Sequence, residues 1–196
     1  MEIKTVWAVY FSGTGTTEKV ATHLAQTLAK ALGAEYQAHD YTQPAGRANE
    51  LRFGPEELVV LGTPVYAGRV PNLLLPFVQN SIHGDKTLAV PVVLYGNRNF
   101  DDGLIELRNV LEADGFRTVA GGAFVGEHSF SRTLGAGRPD AQDMALVEGI
   151  IDMVKKFDIR TVAEGIESMD QVEYLKQIGC DYVQGYVFYR PMPQSD

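Results

Sequence analysis

The chain has 196 residues, 45% hydrophobic and 21% charged, with Lys plus Arg at 17 against Asp plus Glu at 25 and a formal net charge of -8. It is long enough to bury a core and too apolar for wholesale disorder, and its negative charge repels phosphate backbones, which argues against general nucleic-acid binding. Cys180 is the single cysteine, which excludes an internal disulfide and any protein-ligated iron–sulfur cluster. No apolar run approaches the roughly 18 residues of a membrane span, and the first residues carry neither a basic segment nor a cleavage site. A protein with no membrane association, in the cytoplasm, is therefore expected.

Residues 5–11 (Thr-Val-Trp-Ala-Val-Tyr-Phe) are short, apolar and rich in β-formers, as a strand buried on both faces should be. Trp7 lies inside this strand and reads as core. After a Gly-Thr loop, Val20, Leu24, Leu28 and Leu32 share one helical face, and Gly33 ends the helix. Residues 35–41 read as a second strand, followed by a polar loop with Pro44 and Gly46, and 57–62 as a third. A short helix is expected over 73–82, a fourth strand over 87–95, a helix over 104–113 with Leu104, Leu107 and Leu111 aligned, and a fifth strand over 117–125. Alternating strands and helices with short connections predict an α/β fold, a doubly wound parallel sheet. Residues 1–145 make one complete domain of this kind.

Ser12-Gly13-Thr14-Gly15-Thr16-Thr17 joins the first strand to the first helix. Glycines let the backbone turn so that its N–H groups converge, the hydroxyls add donors, and the helix start supplies the positive end of a dipole. A third glycine of the dinucleotide-binding pattern is replaced by Glu18, and the loop lacks the Lys of a nucleotide-triphosphate loop. Amides and hydroxyls without a cation suit one terminal phosphate. The alternative is an ordinary turn with Thr17 capping the helix.

The segment from Tyr10 to Ala21 (Tyr-Phe-Ser-Gly-Thr-Gly-Thr-Thr-Glu-Lys-Val-Ala) resembles the FMN phosphate loop of flavodoxins. The segments Thr63-Pro-Val-Tyr-Ala-Gly-Arg-Val-Pro-Asn72, Tyr95-Gly-Asn-Arg98 and Phe124-Val-Gly-Glu-His-Ser-Phe-Ser131 are similar to a bacterial flavodoxin subgroup sometimes fused to a ferredoxin module. The resemblance implies the sheet order 2-1-3-4-5 and FMN as cofactor, with Ser12, Gly13, Thr14, Gly15, Thr16 and Thr17 around its phosphate. It places Thr63, Pro64, Val65, Tyr66, Ala67 and Gly68 on one side of the isoalloxazine and Gly96, Asn97 and Arg98 on the other. Tyr66 is a candidate to stack on the flavin, with packing against Pro64 as the alternative. Arg69 and Arg98 read as solvated charges, and His128 as a cap of its own loop. A receiver domain on the same fold needs an Asp where Leu61-Gly62-Thr63 stands and a Lys where Glu127-His128 stands, and fails on both.

Residues 146–196 depart from that pattern. Pro139-Asp140 opens a long helix carrying Met144, Val147, Ile150, Ile151 and Val154 at helical spacing. Then follow Thr161-Val-Ala-Glu-Gly-Ile-Glu167, Gly179-Cys-Asp-Tyr-Val-Gln-Gly-Tyr186 and Arg190-Pro-Met-Pro193, which are similar in order and spacing to the last part of EAL domains, the TIM-barrel phosphodiesterases of cyclic di-GMP. The resemblance implies that Glu164 and Gln184 match active-site positions. The Glu-Ala-Leu motif itself and the upstream carboxylate motifs are missing, and two-metal hydrolysis needs several convergent carboxylates; both residues therefore read as relics. Two barrel strands cannot close a barrel, so the fragment is expected to pack its strands, 161–166 and 182–189, onto the edge of the same sheet, beside residues 120–125. The join reads as recombination, and the unbroken helical phase across it favours an engineered chimera.

The functional expectation is an FMN-binding one-electron carrier with a redox partner of unspecified identity, no catalytic residue of its own and no metal. Its state is expected to be a monomer or an edge-strand dimer. An acidic surface opposes adding negative charge to the flavin and so lowers its potential. The alternative is a flavodoxin/TIM-barrel chimera with no retained activity.

Overall fold

The computed structural model describes residues 2–145 except 129 and 132, together with 162–164, 182–184 and positions 169 and 173. The chain divides into two compact units, Met1–Ile151 and Asp152–Asp196.

In the first unit, β1 (Thr5–Tyr10) lies between β2 (Glu35–Asp40) and β4 (Glu57–Pro64), and β6 (Thr87–Tyr95) follows β4. All these pairs are parallel, with Ala8 in register with both Ala38 and Val60. The fifth position of the expected order is filled by two short pieces, β7 (Phe116–Thr118) and β8 (Gly122–Val125), both parallel to β6. The break has a cause in the neighbouring strand. Ala89 pairs with Thr118 and Val92 with Gly122, so residues 119–121 face only Val90 and Pro91. Proline has no N–H to give the ladder, and an extra residue opposite it forms a bulge.

The central strands are apolar on both faces because helices cover both. On one side α1 (Thr16–Leu32) buries Thr17, Val20, Ala21, Leu24, Ala25 and Ala29. Of the face expected from the spacing, Val20 and Leu24 are buried and Leu28 packs against the core, while Leu32 is half exposed because the buried face turns toward the alanines. Small residues win here because α1 approaches the sheet closely: a Cβ on Gly62 would lie 3.0 Å from both Ala21 Cβ and Thr17 Cγ2. Gly33, at φ +67°, ends the helix, its N–H bonded to the Ala29 carbonyl. On the other side α3 (Gly103–Ala113) buries Leu107, Val110 and Leu111 against Val59, Leu61 and Val93. Trp7 joins this layer, edge-on to Phe53 at 5.6 Å with its indole N–H donating to Glu57 Oε1 at 2.7 Å.

The expected helix over 73–82 is shorter. α2 spans Leu75–Ser81, Leu73 is 86% exposed, and Ile82 opens a strand, β5 (Ile82–Gly84), that pairs in parallel with β3 (Leu51–Phe53). Residues 141–145 are helical. Asp140 Oδ1 accepts the N–H groups of Gln142 and Asp143, and Asp143 returns the bond to the Asp140 N–H at 2.8 Å, a reciprocal cap. The continuation of that helix through Val147, Ile150, Ile151 and Val154 lies outside the described residues.

In the second unit, β9 (Val162–Glu164) and β10 (Tyr182–Gln184) form a two-stranded parallel sheet in which Glu164 and Gln184 are register partners. Position 173, inside the helix expected between them, is helical, while the rest of that helix and the ends of both expected strands lie outside the described residues. No helix among the described residues is long and apolar enough to cross a membrane.

Candidate functional site

Three loops leave the carboxyl ends of β1, β4 and β6 at the same edge of the sheet, where doubly wound folds bind ligands. The first begins at Phe11, whose N–H is tied to the Gly62 carbonyl at 3.1 Å. Ser12 then uses both of its polar groups internally: its N–H donates to Thr42 Oγ1 at 2.9 Å, and its Oγ accepts the Glu18 N–H at 3.0 Å. Gly15, at φ +82°, turns the chain into α1, which begins at Thr16 rather than Thr17. Thr17 is buried with its methyl toward Gly62, so it does not cap the helix through its hydroxyl. The N–H groups of Gly13, Thr14, Gly15, Thr16 and Thr17 have no hydrogen-bond partner among the described residues, and Thr14 and Thr16 share a hydroxyl contact at 3.3 Å. Unpaired amides, hydroxyls and the start of a 17-residue helix are the donor set that suits an anion.

The second loop is a tight hairpin. Tyr66 and Arg69 exchange both backbone hydrogen bonds, at 3.0 and 3.2 Å, across Ala67 at φ +52° and Gly68 at φ +78°. The hairpin is pinned to α3 through Glu106, which pairs with the Arg69 guanidinium and accepts the Val70 N–H at 2.8 Å. The Arg69 hydrogen bond, opposed by partial burial and helped by the Val70 N–H, holds the Glu106 carboxyl below its ordinary value. Arg69 is thus a structural tie. In the third loop Asn97 takes φ +56° and its N–H folds back on the Tyr95 carbonyl at 2.9 Å.

These loops bound one cleft of about 200 Å³. From the sequence-predicted set, Gly13, Thr14, Thr16, Thr17, Pro64, Val65, Tyr66, Ala67 and Gly96 line it. Ser12, Gly15, Thr63, Gly68, Asn97 and Arg98 are not part of that lining, and Gly15, Asn97 and Arg98 are exposed. Thr63 is fully buried, and Gly68 packs toward Asp101, where an added Cβ would come within 2.5 Å of Oδ2.

A fourth segment completes the walls: Gly126, Glu127, His128 and Phe130. His128 stands against Gly96, which has room for no side chain: a Cβ there would meet the imidazole at 2.6 Å. His128 Nδ1 accepts the Phe130 N–H at 3.1 Å, the loop-capping part expected of it. Phe130 is 95% exposed and Tyr66 45%, two large rings left in solvent at the mouth of one cleft. Sequence reasoning singled out no residue of this segment as lining, although its motif was visible. Beneath the anion loop Tyr10 donates to Glu18 Oε1 at 3.2 Å; burial first, then the Glu18 charge, push its phenol up to about 12, so it stays a neutral donor at physiological pH.

A parallel sheet in this order, with a phosphate-type loop after the first strand and the ligand edge above it, defines the flavodoxin class of doubly wound protein. A family model described as a flavodoxin domain matches residues 8–112, more than half of the chain. The chain belongs to the flavodoxin domain family. A second model, the EAL domain, matches residues 131–191.

Among solved structures the chain is similar to a flavodoxin from the domain Archaea, with TM-score 0.53, 13% identity, and 79% of this chain and 98% of that one covered. It is also similar to the Streptococcus pneumonia TIGR4 flavodoxin, with TM-score 0.50, 17% identity, and 78% and 99% covered. At these identities the likeness establishes the fold. Among curated proteins it is similar to the "Probable cyclic di-GMP phosphodiesterase PdeG" of Escherichia coli K12, 24% identical over 190 residues, 88% of this chain and 36% of that protein. The cyclic di-GMP phosphodiesterase NbdA of Pseudomonas aeruginosa is 42% identical over 52 residues, 26% of this chain and 7% of that protein. The chain thus spans about a third of the length of the first of these relatives and far less of the second.

Proposed function

We propose that the chain binds FMN non-covalently at the cleft above β1, β4 and β6 and passes single electrons between the flavin and a partner protein. The observation that carries this reading is the run of five N–H groups from Gly13 to Thr17 without a partner among the described residues, opening on a cleft whose mouth holds Tyr66 and Phe130. The amides fit a terminal phosphate held without a cation; the Ser12 hydroxyl, already accepting from Glu18, keeps its hydrogen to donate. Tyr66 and Phe130 offer aromatic faces to a planar ring system, and Gly96 keeps that wall flat. The flavin supplies the redox chemistry when bound; the protein's share is to hold it, exclude water from one side and set the charge around it. The Glu18 and Glu127 carboxylates near the cleft oppose further negative charge there.

Titration with FMN should quench flavin fluorescence, with riboflavin, which lacks the phosphate, binding far more weakly. Equal affinity for the two would remove the phosphate from the reading. Absence of binding to either would leave the second reading, a recombined scaffold without retained activity, which the EAL match over residues 131–191 supports.

A further inference from the structure

The turn after β2 is built around Thr42. Its N–H is held by Asp40 Oδ1 at 2.7 Å, and its carbonyl and that of Tyr41 both accept from Arg47 Nη1, at 2.9 and 2.6 Å. Tyr41 is itself anchored, its N–H on the Tyr10 carbonyl at 3.0 Å and its buried ring among the aromatic side chains of Phe11 and Phe77. Gly46 lets the following turn fold down onto β2, since a Cβ there would fall 2.1 Å from the Asp40 carbonyl oxygen. Thr42 is therefore fixed from both sides, and its Oγ1 reaches thirty residues back in sequence to accept the Ser12 N–H.

We propose that Thr42 is a positioning residue for the anion loop, acting through Ser12. The inference rests on the reading of the cleft as a flavin-phosphate site. With its N–H taken by Thr42, Ser12 is held so that its Oγ meets the Glu18 N–H, closing the loop at both ends. Gly13 to Thr17 then span between two fixed points, their amides without a partner among the described residues. A loop ordered before the anion arrives has less conformational entropy to lose on binding, and the gain appears as affinity. Thr42 is not itself part of the cleft lining and its Oγ1 bonds to the anchor of the loop, so its effect falls on the phosphate and not on the ring system.

The test uses the full chain with Thr42→Val, which keeps the shape and removes the acceptor, and Thr42→Ser, which restores it. Thr42→Val should weaken FMN by roughly threefold to tenfold, the worth of one hydrogen bond. Riboflavin should move by less than about twofold, and Thr42→Ser should return FMN affinity to near the parent value. FMN and riboflavin weakened alike, or Thr42→Val matching the parent chain, would overturn the role of Thr42 while leaving the cleft reading intact. A parent chain that binds FMN and riboflavin equally would overturn the cleft reading and the anion role of Thr42 together. Amide exchange in the ligand-free chain reads the brace directly. Thr42→Val should speed exchange at Ser12 and Glu18 while Val6 to Val9 stay protected, and unchanged exchange at both sites would overturn the proposal.

Discussion

Two successive residues with positive φ, Ala67 and Gly68, carry Tyr66 to the mouth of the cleft, and only the second is a glycine. A side chain at Gly68 meets both a strained backbone and the Asp101 carboxylate. Gly68→Ala should cost about 1–2 kcal/mol of stability, read as a lower urea midpoint at unchanged slope; an unmoved midpoint would mean the turn relaxes freely. The same hairpin carries a pH signature through Glu106, whose side chain is 12% exposed beside the Arg69 guanidinium. Its folded pKa lies below the ordinary 4.5, so the pair's stabilisation is complete above that value and disappears as the pH falls through the depressed one. Glu106→Gln should therefore lose less stability than the parent chain on acidification below 4.5; parallel stability curves would sink the assignment. At this scale the Gly-Thr turn into α1 is legible in sequence because its chemistry is local: glycines for the turn, hydroxyls and amides for the donors. The Ser12 to Thr42 bond is not legible, because it depends on where the β2 turn places a hydroxyl thirty positions away. Nor is the burial of Thr17, which follows from how closely α1 approaches Gly62.

The elements that matter most to the cleft, β1, β4, β6 and α1, announce themselves by continuous apolar runs and helical spacing, and the structure has them at nearly the expected bounds. The pair β3 and β5 was invisible for a physical reason: three residues each are too few for a period to register. Their existence depends on tertiary partners, chiefly Thr87 at the start of β6. Its buried hydroxyl donates to the carbonyls of Phe53 and Gly54, at 2.8 and 2.9 Å, and accepts the Asp85 N–H at 3.2 Å. Thr87→Val keeps the volume and removes the hydroxyl, while the Phe53 carbonyl keeps the Asp85 N–H at 2.9 Å and the Gly54 carbonyl keeps the Glu57 N–H at 3.3 Å; the loss should therefore cost about 0.5–1.5 kcal/mol, with Thr87→Ser recovering most of it. Equal stability of the Val and Ser variants by urea unfolding would show that water replaces the hydroxyl without loss. The split of the fifth strand was equally out of reach, since Pro91 affects the neighbour that pairs with it, not its own segment.

Across the whole molecule, two family signatures stand end to end on one chain, and both were readable because each rests on short motifs in a fixed order. Glu164 and Gln184 are register partners on β9 and β10, yet the Glu-Ala-Leu motif and the upstream carboxylates of the phosphodiesterases do not occur in the sequence. Two-metal hydrolysis needs carboxylates converging on both ions, so cyclic di-GMP with Mg²⁺ or Mn²⁺ should not be turned over; activity that vanishes in Glu164→Ala would reverse this conclusion. The proposed flavin site, by contrast, is contained in one unit. The cleft lining ends at Phe130, the braces at Thr42 and Glu106 precede it, and the segment from Glu127 to Asp143 ties itself down through bonds from Glu127 to the Arg138 carbonyl and from Arg138 to Asp143. All of these fall within Met1–Ile151. A compact unit with its own core and its own site is expected to keep both when separated. A chain ended after Ile151 should therefore bind FMN within about threefold of the full chain's affinity, a difference below roughly 0.7 kcal/mol. Loss of binding by tenfold or more, in a truncated chain that still unfolds cooperatively, would mean that residues 152–196 contribute to the flavin site itself.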